Sequence, residues 1–130
     1  MEHDLERSRA LEPPELDIRA AQQRIRTFVN AREWSKFHTP KNLVMALTRE
    51  VAELSEHFQW LSLEESASAM TDPELATAIS EELADVVYYV LRLADVLSIN
   101  LNATLEAKMA KNELKYPIET SRGKATRKRS

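Results

Sequence analysis

The sequence contains no cysteine and a single glycine, Gly123. Without cysteine the chain has no disulfide framework, no thiolate nucleophile and no thiolate metal site. P-loops and dinucleotide-binding turns need several glycines, because their backbone must turn tightly and approach phosphate closely. Both kinds of nucleotide site are therefore excluded. If this protein handles phosphates, it must use metal ions and basic side chains.

The chain also lacks a long apolar run and a strong net charge. A net charge of −3 over 130 residues creates no field that would attract nucleic acid. No apolar stretch reaches the length that a membrane span needs, and the acidic, polar start does not have the pattern of a signal peptide. We therefore expect one cytoplasmic domain, with neither a membrane nor nucleic acid as its partner.

Apolar residues recur at three- or four-residue steps through most of the chain, which is typical of amphipathic helices. Thr39-Pro40 and Asp72-Pro73 have the pattern of helix starts, with a capping side chain before a proline. No segment alternates as a strand would. We predict an all-α protein, a four-helix bundle over residues 15–117. Its helices are predicted at residues 16–32, 40–60, 73–97 and 101–115, between a flexible leader (1–14) and a disordered basic tail (118–130).

Two pairs of acids stand out within the predicted second and third helices. Glu50 and Glu53 form one pair, and Glu82 and Asp85 form the other. Residues three apart share a helix face, so each pair can direct its carboxylates to one point. At about 100° per residue, both pairs lie beside the apolar stripe of their helix and not opposite it. This position predicts that all four acids flank the seam between the two helices.

The residues alone leave two interpretations of the acids open, a solvated surface face or a divalent-cation site. Asp and Glu make up 21 of 130 residues, so pairs at this spacing also occur by chance on solvated helix faces. Acids beside a seam are costly unless a positive charge lies between them, and the apolar stripes place no Lys or Arg there. Oxygen ligands favour Mg²⁺, Mn²⁺ or Ca²⁺ over Zn²⁺. No His lies at a ligand step, which disfavours a di-iron site.

The acid pattern resembles the E-x-x-E…E-x-x-D signature of the MazG-like all-α nucleoside triphosphate pyrophosphohydrolases. The similarity is greatest to their dCTP pyrophosphatase branch and covers roughly residues 17–117. Supporting segments are Phe37-His38-x-Pro40-x-Asn42-Leu43, Phe58-Gln59-Trp60, and Lys108-Met109 with Asn112 and Tyr116-Pro117.

The resemblance implies hydrolysis of a nucleoside triphosphate to the monophosphate and diphosphate, as a means of cleaning the nucleotide pool. It implies Mg²⁺ as the cofactor, with Mn²⁺ as a substitute, held by Glu50, Glu53, Glu82 and Asp85. Glu50 or Glu53 would instead act as the base that activates water. The substrate would be dCTP or a modified dCTP. The family forms homodimers or homotetramers, so we expect a homo-oligomer here.

The resemblance also assigns substrate-binding roles. Lys108 and Lys111 share one face of the last predicted helix and would meet phosphates, although solvated lysine faces are common. Aromatic side chains would stack on the base, and amide or hydroxyl groups would contact its edge or the sugar. These residues are Trp34, His38, Asn42, Trp60, Tyr89, Asn112 and Tyr116.

Three alternatives remain beside this expectation. The same reaction on another pyrimidine, for instance dUTP, would change the pocket and leave the metal site as it is. A helical interaction module would use the acids only to keep its surface solvated. Nucleic-acid binding through the basic tail would depend on residues 118–130 and on low salt.

Overall fold

The protein is described by a computed structural model that covers residues 15–125. All regular secondary structure in this range is helical, which confirms the all-α prediction. The α-helices are α1 (Ile18–Ala31), α2 (Pro40–Glu56), α3 (Leu63–Ala67), α4 (Pro73–Val96), α5 (Leu101–Lys115) and α6 (Ile118–Ser121). Two 3₁₀ helices, Ser35–Phe37 and Ala69–Thr71, lie in the connections.

Both predicted helix starts are confirmed. The Thr39 side chain accepts a hydrogen bond from the backbone N–H of Asn42 at 3.3 Å, and Pro40 opens α2. The Asp72 carboxylate likewise accepts from two backbone N–H groups in the first turn of α4, which Pro73 opens. Proline fits the first turn because backbone N–H groups there have no partner within the helix. Its lack of an N–H therefore costs no helical hydrogen bond.

Two segments differ from the prediction. Helix α2 ends at Glu56, and residues 57–60 form tight turns in which the N–H of Phe58 and Gln59 bonds back to the carbonyl of Ser55. The tail does not begin as disordered chain, because α6 forms immediately after Pro117. The predicted leader, residues 1–14, and the last part of the tail, residues 126–130, lie outside the described residues.

The core is formed where α2 and α1 pack on α4, and the contact between α2 and α4 is the most extensive. Leu43 of α2 and Leu91 of α4 are buried there, as is Val29 of α1. Helix α5 makes no comparable contact within residues 15–125. Three long helices therefore pack together, and the predicted fourth helix is not seen to complete a bundle within one chain.

Large apolar side chains remain at the surface of α2 and α4. The apolar stripes of α2 and α4 predict that Val51, Leu83 and Val87 are buried, yet they are 48%, 49% and 41% exposed. Farther along α4, Leu91 and Ala94 are buried as expected. The other helices of the same chain thus leave part of the apolar stripe of α4 uncovered. None of the helices in residues 15–125 has both the length and the apolar character needed to cross a membrane.

Candidate metal centre and nucleotide site

Three of the four predicted metal ligands meet where α2 packs on α4. Glu50, Glu53 and Glu82 each offer a carboxylate oxygen, and these oxygens lie within 4.8 Å of one another. Glu50 is only 6% exposed, while Glu53 and Glu82 are partly buried. The spacing of the acids on their helices predicted this meeting, because each lies beside the apolar stripe that forms the seam.

The cluster contains carboxylate oxygens without partners. Among the described residues, the buried side-chain polar atoms that lack a hydrogen bond are Glu50 Oε2 and Glu82 Oε2. Burial raises the pKa of Glu82 to about 7, and hydrogen bonding and charge from Glu50 and Glu53 act in the same direction. Carboxylates this close cannot all be ionised without a neutralising partner, which is either a proton or a cation.

One basic side chain does reach the cluster, which the sequence argument missed. Arg49 Nη2 lies 3.2 Å from Glu50 Oε1. The hydrogen bond and the charge of Glu50 raise the pKa of Arg49. The Arg49 side chain is 63% exposed, so it neutralises the cluster from its outer side. It leaves the second oxygen of Glu50 without a partner.

The donor set fits a hard divalent cation such as Mg²⁺ or Mn²⁺. All three groups are carboxylates, which these ions prefer over nitrogen or sulfur ligands. The two unpaired buried oxygens are the atoms that a cation would satisfy. Asp85, the fourth predicted ligand, is exposed and does not join the three glutamates in the described structure.

A second polar cluster lies at the other end of the α2–α4 seam. His38, just before α2, accepts a hydrogen bond on Nδ1 from Arg92 Nε at 3.0 Å. Arg92 Nη1 lies 3.5 Å from Asp95 Oδ2, and Arg26 of α1 forms a paired contact with the same carboxylate. Burial and the charge of Arg92 both lower the pKa of His38. Sequence reasoning selected His38 but missed Arg26, Arg92 and Asp95. The available signal in the sequence was Arg92, a charged residue next to Leu91 in an apolar part of α4.

The other predicted pocket residues near α2 and α4 have mixed placements. Trp34 packs edge-to-face on Phe28, with ring centroids 5.7 Å apart. Asn42 uses its amide nitrogen to donate to the carbonyl of Phe37 at 3.1 Å, which gives it a structural role in the connection before α2. Trp60 is 86% exposed. Tyr89 is partly buried and lies one turn beyond Asp85 on α4.

The predicted residues on and after α5 are not brought to the acids in one chain. Lys108 and Lys111 are exposed and line a shallow surface depression on α5 itself. Asn112 and Tyr116 are partly buried, and the Lys115 ammonium lies 5.6 Å from the Tyr116 ring centroid. Within residues 15–125, Lys108, Lys111 and Asn112 form no ion pair or side-chain hydrogen bond with the acid cluster.

Comparison with known sequences connects the acid cluster to a family of proteins. The sequence model of the MazG-like family matches residues 46–128. A dCTP pyrophosphatase 1 from Rattus norvegicus is 41% identical over 98 residues, which are 75% of this chain and 58% of that protein. The dCTP pyrophosphatase 1 of Homo sapiens is 38% identical over 95 residues, or 73% and 56% of the two chains. The chain thus spans less than two thirds of the length of these relatives.

Comparison with solved structures gives the same result for the fold. A pyrophosphatase from Archaeoglobus fulgidus, known from a crystal structure, superposes with a TM-score of 0.72 at 39% sequence identity. The match covers 82% of this chain and 98% of that one.

Proposed function

The chain belongs to the MazG-like family, and from this premise we propose that it is a Mg²⁺-dependent nucleoside triphosphate pyrophosphohydrolase. The reaction converts a deoxynucleoside triphosphate and water to the monophosphate and diphosphate. The preferred substrate is dCTP or a modified dCTP, as the names of the relatives suggest. The proposed role is removal of unwanted nucleotides from the pool, in the cytoplasm.

The observation that carries this proposal is the pair of unpartnered carboxylate oxygens on Glu50 and Glu82. A solvated acid face would expose such oxygens to water. Here both oxygens are buried without a hydrogen-bond partner, which is costly without a cation. The helical interaction module therefore explains this feature less well than a metal-dependent enzyme does.

In the proposed reaction, Glu50, Glu53 and Glu82 would hold Mg²⁺, with Asp85 as the proposed fourth ligand. A cation held there would supply the positive charge that neutralises the triphosphate and polarises its α–β linkage. Water forms a bond to the α-phosphorus, and the bond from that phosphorus to the bridging oxygen breaks. Glu50 or Glu53 accepts the proton that the water loses.

The remaining substrate contacts are proposed to come from the predicted pocket residues. Tyr89 and His38 lie beyond the acids along the same seam, where a nucleoside would extend. Lys108 and Lys111 contact phosphates only if α5 of a second chain approaches the acids, because one chain leaves them apart from the cluster. We therefore include a homodimer, or a homotetramer built from two dimers, in the proposal. The exposed apolar surface of α2 and α4 supports this.

A triphosphate panel tests the proposed function. The purified chain is incubated with dCTP, dUTP, dTTP, dATP and dGTP, with and without Mg²⁺, and the products are separated by anion-exchange chromatography. The proposal expects dCMP and diphosphate from dCTP only when the metal is present. A preference for dUTP would keep the reaction and change the assigned base. No hydrolysis of any triphosphate with Mg²⁺ or Mn²⁺ would contradict the proposal.

A further inference from the structure

Arg92 is a buried cation in the most apolar part of α4. It is 7% exposed, between buried Leu91 and the partly buried Leu93. Burying a guanidinium in such a place costs free energy unless neighbouring groups replace the hydrogen bonds that it would make to water. Asp95 supplies one partner, but that carboxylate already binds Arg26 through two hydrogen bonds of 3.0 and 2.8 Å. The Nε–H of Arg92 therefore donates its hydrogen bond to His38 and not to Asp95.

The contact from Arg92 fixes the chemistry of the His38 ring. Guanidinium nitrogens only donate hydrogen bonds. The His38 Nδ1 atom, 3.0 Å from Arg92 Nε, must therefore present its lone pair and carry no hydrogen. In a neutral imidazole the hydrogen then lies on Nε2, which can only donate.

The charges around His38 keep it neutral. Arg92 contacts the ring from α4, Asp95 of the same helix pairs with Arg92, and Arg26 reaches Asp95 from α1. These three groups sum to one positive charge, and a proton on His38 would add a second in a partly buried place. Burial and the Arg92 charge lower the pKa of His38 accordingly.

The position of His38 relative to the acids suits a nucleotide. At about 100° per residue, Glu82, Asp85, Tyr89 and Arg92 fall within about 80° of one another around α4. Arg92 lies ten residues beyond Glu82, about 15 Å along the helix axis. Because Glu50 meets Glu82 while His38 meets Arg92, α2 runs antiparallel to α4. A triphosphate at the acids would direct its nucleoside past Tyr89 to His38.

We propose that Arg92, held by Asp95 and Arg26, is a positioning residue that fixes His38 as a hydrogen-bond donor through Nε2. His38 thereby recognises an acceptor on the edge of the pyrimidine base, oxygen O2 or nitrogen N3, and not its exocyclic amino group. This inference rests on the proposed function, because it assigns a specificity contact within that reaction.

The tautomer is measured directly by ¹⁵N NMR of the imidazole nitrogens in the full chain without nucleotide, at a pH where His38 is neutral. The signals are assigned by their loss in His38→Gln. We expect an Nδ1 signal without an attached hydrogen and an Nε2 signal with one. Arg92→Lys keeps the charge but lacks the Nε–H donor, so Nδ1 should move towards the tautomer-averaged position. Arg24→Lys, on the exposed side of α1, is the matched control and should change neither signal.

The kinetic consequence separates positioning from a purely structural role. Loss of one neutral hydrogen bond to the base should raise KM for dCTP about three- to tenfold in Arg92→Lys, with kcat changed by less than about twofold. Arg24→Lys should change neither constant. A hydrogen on Nδ1 in the parent protein, or unchanged Nδ1 signals and KM in Arg92→Lys, would overturn the proposal.

A second set of measurements keeps Arg92 intact, so it does not depend on how that variant folds. Three dCTP analogues each lack one group of the base: O2, N3 or the amino group. Their kcat/KM values are compared in the parent and in His38→Ala. We expect His38→Ala to remove the penalty for losing O2 or N3 and to leave the penalty for losing the amino group unchanged. Removal of the amino-group penalty, or of none, would overturn the proposal.

The two proposals fail differently. If the parent chain hydrolyses no triphosphate, the proposed function is wrong and the assigned base contact is wrong with it, even where the His38 tautomer is as expected. If the parent hydrolyses dCTP but His38 has the other tautomer, only the role of Arg92 is wrong.

Discussion

Glu50 of α2 and Glu82 of α4 each bury a carboxylate oxygen without a hydrogen-bond partner at the seam between their helices. Glu53 brings a third carboxylate within 4.8 Å of both. Arg49 contacts the other oxygen of Glu50 at 3.2 Å and leaves these two buried oxygens without a partner. The helices thus hold three acids so close together that a divalent cation between them would offset their repulsion.

Removing one cluster acid should abolish activity without unfolding the chain. Glu82→Gln retains the shape of the side chain but removes the charge that a cation needs. Because bound metal stabilises the charged transition state by several kcal/mol, we expect kcat/KM for dCTP to fall at least about 100-fold. The melting temperature without metal should be unchanged or higher, since a like charge is removed. Glu56→Gln, an exposed acid at the end of α2, is the control and should keep both values.

Magnesium affinity should depend on pH through Glu82. Its pKa of about 7 in the metal-free protein lies above the ordinary value of 4.5. Between these two pH values the folded chain therefore holds a proton on Glu82 that the unfolded chain has lost. The contribution of this proton to the free energy of unfolding is fully present below pH 4.5 and is lost as pH rises through about 7. Mg²⁺ must displace that proton. Affinity measured by calorimetry should rise with pH up to about 7 and then level off, and proton release should cease above it. An affinity independent of pH over this range would contradict the shared-proton state.

Arg49 should matter more without metal than with it. In the metal-free protein its guanidinium is the cation that contacts Glu50, so Arg49→Met should lower the melting temperature there. Saturating Mg²⁺ supplies the missing positive charge and should remove most of the difference between variant and parent. Arg24→Met, which lies far from the cluster in sequence and is exposed on α1, should show no such dependence on metal. Equal destabilisation of Arg49→Met in both conditions would mean that Arg49 acts only through packing.

The exposed apolar face of α4 should form part of a subunit interface. Leu83 and Val87 lie one turn apart and are 49% and 41% exposed. Val87→Arg places a charge in that face, so light scattering should show a smaller assembly than for the parent. Thr77→Arg, on an exposed part of α4, should leave the mass unchanged. A monomeric parent protein would contradict the proposed oligomer.

The local signals in the sequence were sufficient for the existence of the four long helices and for the meeting of three of the four acids. Thr39-Pro40 and Asp72-Pro73 fixed two helix starts because capping depends on neighbouring residues only. The acid spacing predicted the meeting of Glu50, Glu53 and Glu82. Asp85 is exposed in spite of the same spacing, because periodicity gives a face but not the distance to the facing helix.

Contacts between distant segments could not be predicted in the same way. A series of hydrogen bonds and ion pairs runs from Arg26 through Asp95 and Arg92 to His38 and joins three segments of the protein. It forms only if those segments pack as they do. Likewise, a helix is predicted from the sequence at residues 101–115, and α5 forms at Leu101–Lys115. The pattern does not determine whether that helix packs on its own chain.

The most direct measurement of the central claim is the fate of oxygen from water during dCTP hydrolysis. The reaction is run with Mg²⁺ in ¹⁸O-labelled water and followed by ³¹P NMR, where the heavier isotope shifts the signal of the phosphorus that carries it. Attack at the α-phosphorus predicts label in dCMP and none in diphosphate, with the Glu82→Gln variant inactive. Label in the diphosphate, release of single phosphate, or the same rate after removal of the metal would contradict the account.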